Sequence, residues 1–210
     1  MLPAELARLL DEYDQDDLNG RIEKATYEND MVSVALNVSP AWEVGKGQRW
    51  IVRSEGLLKF RIENTSAVEI EELEDHPFLW PFNEKVAELY IKRRAFDPKA
   101  LYVAITRTHY ETLGPSEPLE THLMNNLTNL EERCAWDNGL FAKGPLPLLK
   151  VYTAALQEAG CEPYLFGEGE AKRWDGRQWV STKARAKVLL FGDSWIVADQ
   201  FHWDQLAPQP

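Results

Sequence analysis

Three residues near the carboxyl-terminal end of the chain have the side chains that serine hydrolases use. Ser194 could act as a nucleophile, His202 as the base that removes its proton, and Asp199 as the acid that orients the imidazole. Such a triad requires the three side chains to lie within hydrogen-bond reach of one another. The sequence therefore offers a catalytic hypothesis that depends on the backbone geometry between Ser194 and His202.

The local order of these residues also resembles a known enzyme family. Gly192-Asp193-Ser194 follows an apolar run, and Asp199 and His202 have Asp-x-x-His spacing. Both blocks resemble those of the GDSL hydrolases, and this resemblance implies catalytic roles for Ser194, Asp199 and His202. In that family, however, the serine block lies near the start of the domain, whereas Ser194 lies sixteen residues from the end of this chain.

The flanking residues favour a different interpretation of the same triplet. Two apolar runs, residues 188–191 and 195–198, surround it, which is typical of a β-hairpin with a tight turn. If the second run continues as a strand, a rise of about 3.3 Å per residue places His202 roughly 25 Å from Ser194. A straight strand is therefore incompatible with a triad formed inside this stretch.

Tryptophan is abundant, with eight in the chain, and four of them are candidate binding residues. Trp42, Trp174 and Trp179 lie in turn-like segments beside charged residues, and Trp80 lies in a stretch rich in aromatic residues. Tryptophan is enriched where proteins bind partners. We expect these four residues to bind a ligand or a partner, and roles in the core or as loop anchors are the alternative.

Residues 75–82 are dense in aromatic residues and prolines. Because proline restricts the backbone, we predict that this stretch is extended and not helical. Two roles fit its composition: an ordered loop that fills the core beside the sheet, or an exposed aromatic platform for a ligand or partner. We expect core filling, because most large aromatic side chains in a domain of this size are buried.

A partial match to a calcium-binding loop lies near the amino terminus. Asp17, Asn19 and Gly20 fit EF-hand positions three, five and six, but Gln15 and Thr26 occupy positions one and twelve, where carboxylates are needed. A divergent calcium site is the alternative to a plain Asn-Gly turn. Because the four histidines lack a tight ligand spacing, we predict neither a metal nor a cofactor.

The composition is acidic, with 23 Lys and Arg against 34 Asp and Glu and a formal net charge of −11. This charge disfavours nucleic acid and anionic membranes and favours a basic protein partner. No apolar run approaches the roughly 20 residues that span a bilayer, no secretory signal is visible, and Cys134 and Cys161 form no disulfide framework. We therefore predict a cytoplasmic protein.

Hydrophobic periodicity predicts the elements that position these residues. A period of two indicates strands at residues 31–38, 48–53, 56–63, 67–73 and 85–92, followed by the final hairpin. A helical period indicates helices at residues 3–13, 97–113, 119–136 and 145–160. Short strands joined by short turns favour an antiparallel sheet.

These elements predict a single α+β domain over residues 1–210. Its mainly antiparallel sheet combines the first half of the chain with the final hairpin, and two or three helices from the middle pack on one face. The functional hypothesis is an acidic, non-enzymatic binding protein, either an adaptor or an inhibitor of a basic partner. The alternative is a serine hydrolase that uses Ser194.

Overall fold

The structure is a computed structural model, and it describes residues 1–42, 47–63, 67, 69–93, 95–115, 117–123, 134–135, 137–174, 177–181 and 185–207. The chain divides into two compact units: unit 1 is Met1–His76 with Ala184–Pro210, and unit 2 is Pro77–Lys183. Each unit has its own cluster of buried hydrophobic residues. A compact unit can be a whole domain or only part of one, so the single domain over residues 1–210 stays a prediction.

Helices and strands alternate irregularly along the chain. The described helices are α1 Ala4–Glu12, α2 Trp80–Asn83, α3 Pro98–Leu113 and α4 Leu146–Glu158. The described strands are β1 Leu18–Glu28, β2 Met31–Pro40, β3 Gln48–Arg61, β4 Ile70–Leu73, β5 Val86–Ile91, β6 Gly139–Pro145, β7 Pro163–Gly169, β8 Lys172–Trp174, β9 Trp179–Ser181, β10 Lys187–Phe191 and β11 Ser194–Leu206. Short 3₁₀ turns occupy Gln15–Asp17, Pro77–Leu79 and Leu119–Thr121.

Unit 1 is built on a six-stranded antiparallel sheet with the order β1-β2-β3-β11-β10-β4. Every second residue of β2 is buried, as its period of two predicts. The amphipathic helix α1 contributes Leu6 and Leu9 to the same core cluster. Asn29 and Asp30, both with positive φ, form the two-residue turn between β1 and β2.

The final hairpin is confirmed. Phe191 and Ser194 are register partners at the ends of β10 and β11, so Gly192 and Asp193 form the turn. Gly192 has a φ of 58°, a left-handed conformation that glycine adopts without a steric cost. The hairpin lies between β3 and β4, so strands from the first half and the end of the chain share one sheet, as predicted. Strand β5, which was predicted to belong to the same sheet, lies instead in a separate sheet.

Unit 2 contains a three-stranded antiparallel sheet with the order β6-β5-β7 and a two-stranded sheet of β8 and β9. Asp97 caps α3: one of its carboxylate oxygens accepts hydrogen bonds from the backbone N–H groups of Lys99 and Ala100, at 3.0 and 3.1 Å. Helices α3 and α4 share one core cluster with β5 and β6, which includes Leu89, Phe141 and Leu149.

Two predictions about breaks in the chain are wrong. Residues 48–53 and 56–61 belong to one long strand, β3, because Gly56 takes a φ of 65° and lets the strand continue past an irregularity in its pairing with β11. Residues Asn19 and Gly20 lie inside β1, where they pair with β2, and do not form a turn.

The prediction that residues 75–82 are not helical is also wrong. Pro77–Leu79 forms a 3₁₀ turn and Trp80–Asn83 a short helix. Both segments have proline in their first turn, where its missing N–H removes no helical hydrogen bond. Leu79 is buried and Trp80 packs against the core cluster of unit 2, in agreement with the expected core-filling role.

The α+β class with a mainly antiparallel arrangement is confirmed, whereas packing of the helices on one face stays a prediction. Most of the helix predicted at residues 119–136 lies outside the described residues, and its first part is the 3₁₀ turn Leu119–Thr121. Among the described helices, none is both long enough and apolar enough to cross a membrane.

Candidate functional site

Ser194 is the first residue of β11, and its side chain is fully buried. Its Oγ accepts a hydrogen bond from the backbone N–H of Glu63 at 2.8 Å and donates one to the Glu63 carbonyl at 3.1 Å. The hydroxyl therefore satisfies the backbone of a residue that has just left β3. A nucleophile needs an exposed oxygen and a neighbouring base, and this hydroxyl is instead a structural partner of the backbone.

The other two residues of the proposed triad lie along the same strand. β11 continues to Leu206, so the strand rise separates His202 from Ser194 by roughly 25 Å. The exposed His202 has its Nε2 2.7 Å from a carboxylate oxygen of Glu55. Asp199 lies beside Gly56, and a Cβ added at Gly56 would collide with the Asp199 carboxylate. The hairpin does not bring Ser194 and His202 together.

The four candidate tryptophans are placed differently from one another. In unit 1, Trp42 is 60% exposed and contacts the ring of Tyr13 edge-on, with ring centroids 6.4 Å apart. In unit 2, Trp179 is 66% exposed and is the register partner of Trp174, whose side chain lies outside the described part of the structure. Trp80 is half-buried against the core. Among the side chains of these four that the structure describes, those of Trp42 and Trp179 are largely exposed.

The calcium hypothesis is wrong because Leu18–Glu28 is a strand. An EF-hand loop wraps its ligands around one ion, whereas successive side chains of an extended strand point to opposite faces. Asp17 and Asn19 therefore cannot supply a calcium site with the residues that follow. In the described part of the chain, no group of three or more His, Cys, Asp or Glu side chains is placed to hold a metal ion.

A cleft of about 550 Å³ lies in unit 1, between α1 and the β4 side of the sheet. Apolar and acidic side chains both contribute to it. Its lining consists of Leu2, Ala7, Leu10, Asp11, Leu18, Glu69, Ile70, Glu71, Leu190 and Gly192. This volume is large enough for a short peptide segment or a small ligand.

The charged side chains that line this cleft are all acidic, and the Met1 ammonium pairs with Glu72, next to lining residues Leu2 and Glu71. Asp11 lies on the α1 side, and Glu69 and Glu71 lie on the β4 side, whereas none of the described lining residues is Lys or Arg. Leucine and isoleucine side chains form the apolar part of the lining, and Ile70 is buried. An apolar cleft bordered by carboxylates is complementary to a segment that combines apolar and basic side chains.

The cleft belongs to the unit that carries almost all of the net charge. Unit 1 contains 20 acidic and 10 basic residues, whereas unit 2 contains 14 acidic and 13 basic residues. The net charge of −11 is therefore concentrated in unit 1, where it would attract a basic partner toward the cleft. The composition of the whole chain does not reveal this asymmetry.

Unit 2 contains a buried polar cluster that sequence reasoning missed. His109 is fully buried; its Nε2 lies 2.6 Å from the Glu117 carbonyl and its Nδ1 lies 2.7 Å from the hydroxyl of Tyr152. A carbonyl can only accept, so Nε2 carries the proton and Tyr152 donates to Nδ1. Burial raises the pKa of the Tyr152 hydroxyl, which keeps it a donor. Both ring nitrogens are therefore already bonded within the core.

No protein-family model, curated protein or solved structure matches this chain. The geometry and charge of the cleft in unit 1 are therefore the only grounds for treating it as the candidate functional site. Sequence reasoning missed it because its lining comes from four segments that are distant in the sequence: the amino terminus with α1, the first residue of β1, the start of β4, and the end of β10 with its turn. One signal was available, the alternation of Glu69, Ile70 and Glu71.

Proposed function

We propose that this protein is a cytoplasmic, non-enzymatic binding protein that docks a basic segment of a partner protein in the cleft of unit 1. It would act as an adaptor or as an inhibitor of that partner. The observation that carries this proposal is the apolar cleft bordered by Asp11, Glu69 and Glu71 in the unit that holds nearly all the net charge.

Charge and apolar surface have separate roles in this proposal. The excess of carboxylates in unit 1 speeds the encounter with a basic partner and discriminates against acidic ones. Burial of apolar side chains against Leu10 and Ile70 supplies the affinity, because exposed ion pairs contribute little on their own. Nucleic acid and anionic membranes are disfavoured by the same charge.

Trp42 extends the proposed binding surface of unit 1. Its ring contacts Tyr13, the residue that follows α1, and α1 forms one wall of the cleft. A largely exposed tryptophan is a typical anchor for a protein partner. Trp80, Trp174 and Trp179 of unit 2 stay candidates for a separate contact surface.

The state of the cysteines supports the cytoplasmic assignment. Cys134 and Cys161 are both free and buried, and burial raises the pKa of the Cys161 thiol. A thiol that stays protonated in the core is chemically inert and behaves as a small apolar side chain. Free structural thiols of this kind are typical of reducing compartments.

The test uses a fluorescein-labelled peptide with alternating lysine and valine, Lys-Val-Lys-Val-Lys-Val, capped at both ends. We expect Glu69→Gln/Glu71→Gln to weaken its binding about five- to tenfold in fluorescence anisotropy, because two ion pairs of up to about 1 kcal/mol each are lost. Salt should weaken binding to the wild type more than binding to this variant.

The matched control removes the same charge from unit 2. Glu158→Gln/Glu168→Gln replaces two exposed carboxylates and should change the affinity less than about twofold. Equal weakening by both double variants would show that the peptide responds only to total charge, and the cleft would lose its role. Labelling of the wild type, but not of Ser194→Ala, by a fluorophosphonate probe would instead support the hydrolase alternative.

A further inference from the structure

Strand β4 forms one edge of the sheet in unit 1. It pairs with β10 on one side, from Leu73 opposite Val188 to Ile70 opposite Phe191. Among the described strands, none pairs with its other side. An edge strand of this kind presents backbone N–H and C=O groups that can bind another extended segment.

The pairing with β10 determines which backbone groups point away from the sheet. The carbonyl of Glu69 accepts a hydrogen bond from the N–H of Gly192, so Glu69 is directed toward β10. Backbone groups in an antiparallel pair alternate between the two sides of a strand. The N–H and C=O groups of Ile70 and Glu72 are therefore directed outward.

The side chains of this edge alternate in character as well as in direction. Glu69 and Glu71 are exposed and lie two residues apart, on one face of the strand. Ile70 lies on the opposite face and belongs to the core cluster of unit 1. All three line the cleft, so the sheet edge and the cleft form one continuous surface.

We infer that the basic segment binds as an extended strand added to the outer side of β4. This inference rests on the proposed function and specifies its partner: a segment in which basic and apolar side chains alternate. Basic side chains would lie beside Glu69 and Glu71, and apolar ones would lie over Ile70 and Leu10. Backbone hydrogen bonds give such complexes affinity, and the alternating side chains give specificity.

The opposite edge of the sheet is a poorer match to a basic segment. β1 carries two basic and two acidic residues, so it has no net charge to attract a basic segment. The carboxylate of Glu23 is already engaged by Arg49, whose Nη2 lies 2.7 Å from it. None of β1 beyond Leu18 lines the cleft. The carboxylates, the apolar lining and the outward backbone groups coincide at β4.

N-methylated forms of the alternating lysine–valine peptide test the geometry directly. A strand added to one edge uses only every second N–H, so methylation of one alternate set of amides should weaken binding at least about tenfold. Methylation of the other alternate set of amides should change the binding affinity less than about threefold. A block peptide, Lys-Lys-Lys-Val-Val-Val, should bind at least about fivefold more weakly than the alternating one.

A second measurement locates the added strand. Binding of the unmethylated alternating peptide should slow amide hydrogen exchange at Ile70 and Glu72, because their outward N–H groups become hydrogen-bonded. Exchange in β1, at the other edge, should be unchanged. Slowed exchange confined to β1, or at neither edge, would overturn the assignment to β4.

The outcomes separate the two proposals. If both methylated peptides and the block peptide bind as well as the alternating peptide, while Glu69→Gln/Glu71→Gln still weakens binding, strand addition is wrong and docking of a basic segment stands. If no basic peptide distinguishes the wild type from Glu69→Gln/Glu71→Gln, the proposed function itself fails. Circular dichroism and thermal melting of each variant establish that it is folded.

Discussion

The two units differ in their net charge and in the polar side chains that they bury. Unit 1 carries 20 acidic and 10 basic residues. Among its described residues, Ser54 and Ser194 are buried and bond to the backbone through their hydroxyls, and the Glu72 side chain is only 3% exposed and pairs with Lys187. Unit 2 is nearly neutral, but it buries the bonded side chains of His109 and Tyr152. Unit 1 therefore holds nearly all of the net charge, whereas unit 2 hydrogen-bonds buried polar side chains within its own core.

The largest expected effects come from the two cores. Phe191 in unit 1 and Phe141 in unit 2 are both fully buried, and each belongs to a different cluster. Replacing either by Ala should lower the free energy of unfolding by about 3–5 kcal/mol, as measured by urea denaturation. Hydrogen exchange should accelerate mainly in the strands of the substituted unit, because each side chain packs in its own core.

The same experiment tests whether the chain is one domain. Equal loss of protection in β2 and β5 after either substitution would contradict separate opening of the two units. That result would support the prediction of a single domain over residues 1–210, because one cooperative domain loses protection as a whole.

The buried tyrosine of unit 2 gives the next largest effect. Tyr152→Phe removes the donor to Nδ1 of His109 and leaves a buried acceptor unsatisfied, which should cost about 1–3 kcal/mol in the free energy of unfolding. The control is Tyr102→Phe, because the Tyr102 side chain is exposed; it should change the free energy by less than about 0.5 kcal/mol. Equal effects would mean that the buried network does not specify the core.

Much of unit 1 could be predicted from its sequence because its signals are local. The period of two in β2, the amphipathic pattern of α1 and the Gly-Asp turn between β10 and β11 each lie within a few consecutive residues. Strand β1 was missed because its burial does not alternate regularly: much of it is exposed, and its Asn19-Gly20 dipeptide is typical of a turn.

The candidate sites were harder to predict because their partners are distant in the sequence. His109 bonds to Tyr152, 43 residues away, and neither residue has a neighbouring pattern that indicates the other. The cleft combines α1 with the start of β4 and the end of β10, so only the folded chain brings its acids and leucines together. Gly56 was misinterpreted because its conformation depends on pairing with a strand from the end of the chain.

An ion pair on the sheet of unit 1 should give a pH-dependent effect of about 1 kcal/mol. The hydrogen-bonded Arg49 guanidinium holds the pKa of the Glu23 carboxyl below its usual value of 4.5. A carboxylate whose pKa is lower in the folded than in the unfolded state stabilises the fold. This stabilisation is complete above the pKa of the unfolded state and is lost as the pH falls through the pKa of the folded state. Glu23→Gln should therefore destabilise at pH 7, with a deficit that shrinks below about pH 4.5.

Unit 2 supplies the matched control for this pair. Nζ of Lys143 lies 3.1 Å from Glu88 and lowers its pKa, but Lys143 is 59% exposed, so solvent screens the interaction. Glu88→Gln should therefore cost less than Glu23→Gln in urea denaturation at pH 7. A larger loss for Glu88→Gln, or a Glu23→Gln deficit that grows at low pH, would contradict the comparison.

The smallest expected effect concerns the hairpin turn of unit 1. Asn29 and Asp30 both have positive φ, and the Asp30 carboxylate accepts a hydrogen bond from the Tyr27 hydroxyl. Asp30→Gly and Asp30→Ala both lose this bond, but glycine adopts positive φ without strain, so the free energy of unfolding should be about 0.5 kcal/mol higher for the Gly variant than for the Ala variant. Asp30→Ala keeps a Cβ and therefore keeps the strain. Thermal melting compares the two variants, and equal melting temperatures would show that backbone strain at this turn does not limit the stability of unit 1.

The acids of β4 also determine what does not bind at this edge. An uncovered sheet edge is a common starting point for aggregation, because two copies of a protein can pair edge to edge. Two β4 strands brought together would place Glu69 and Glu71 of one copy close to the same acids of the other, and the charge of unit 1 would add to the repulsion. The same carboxylates that would select a basic segment would therefore also disfavour edge-to-edge pairing of two β4 strands.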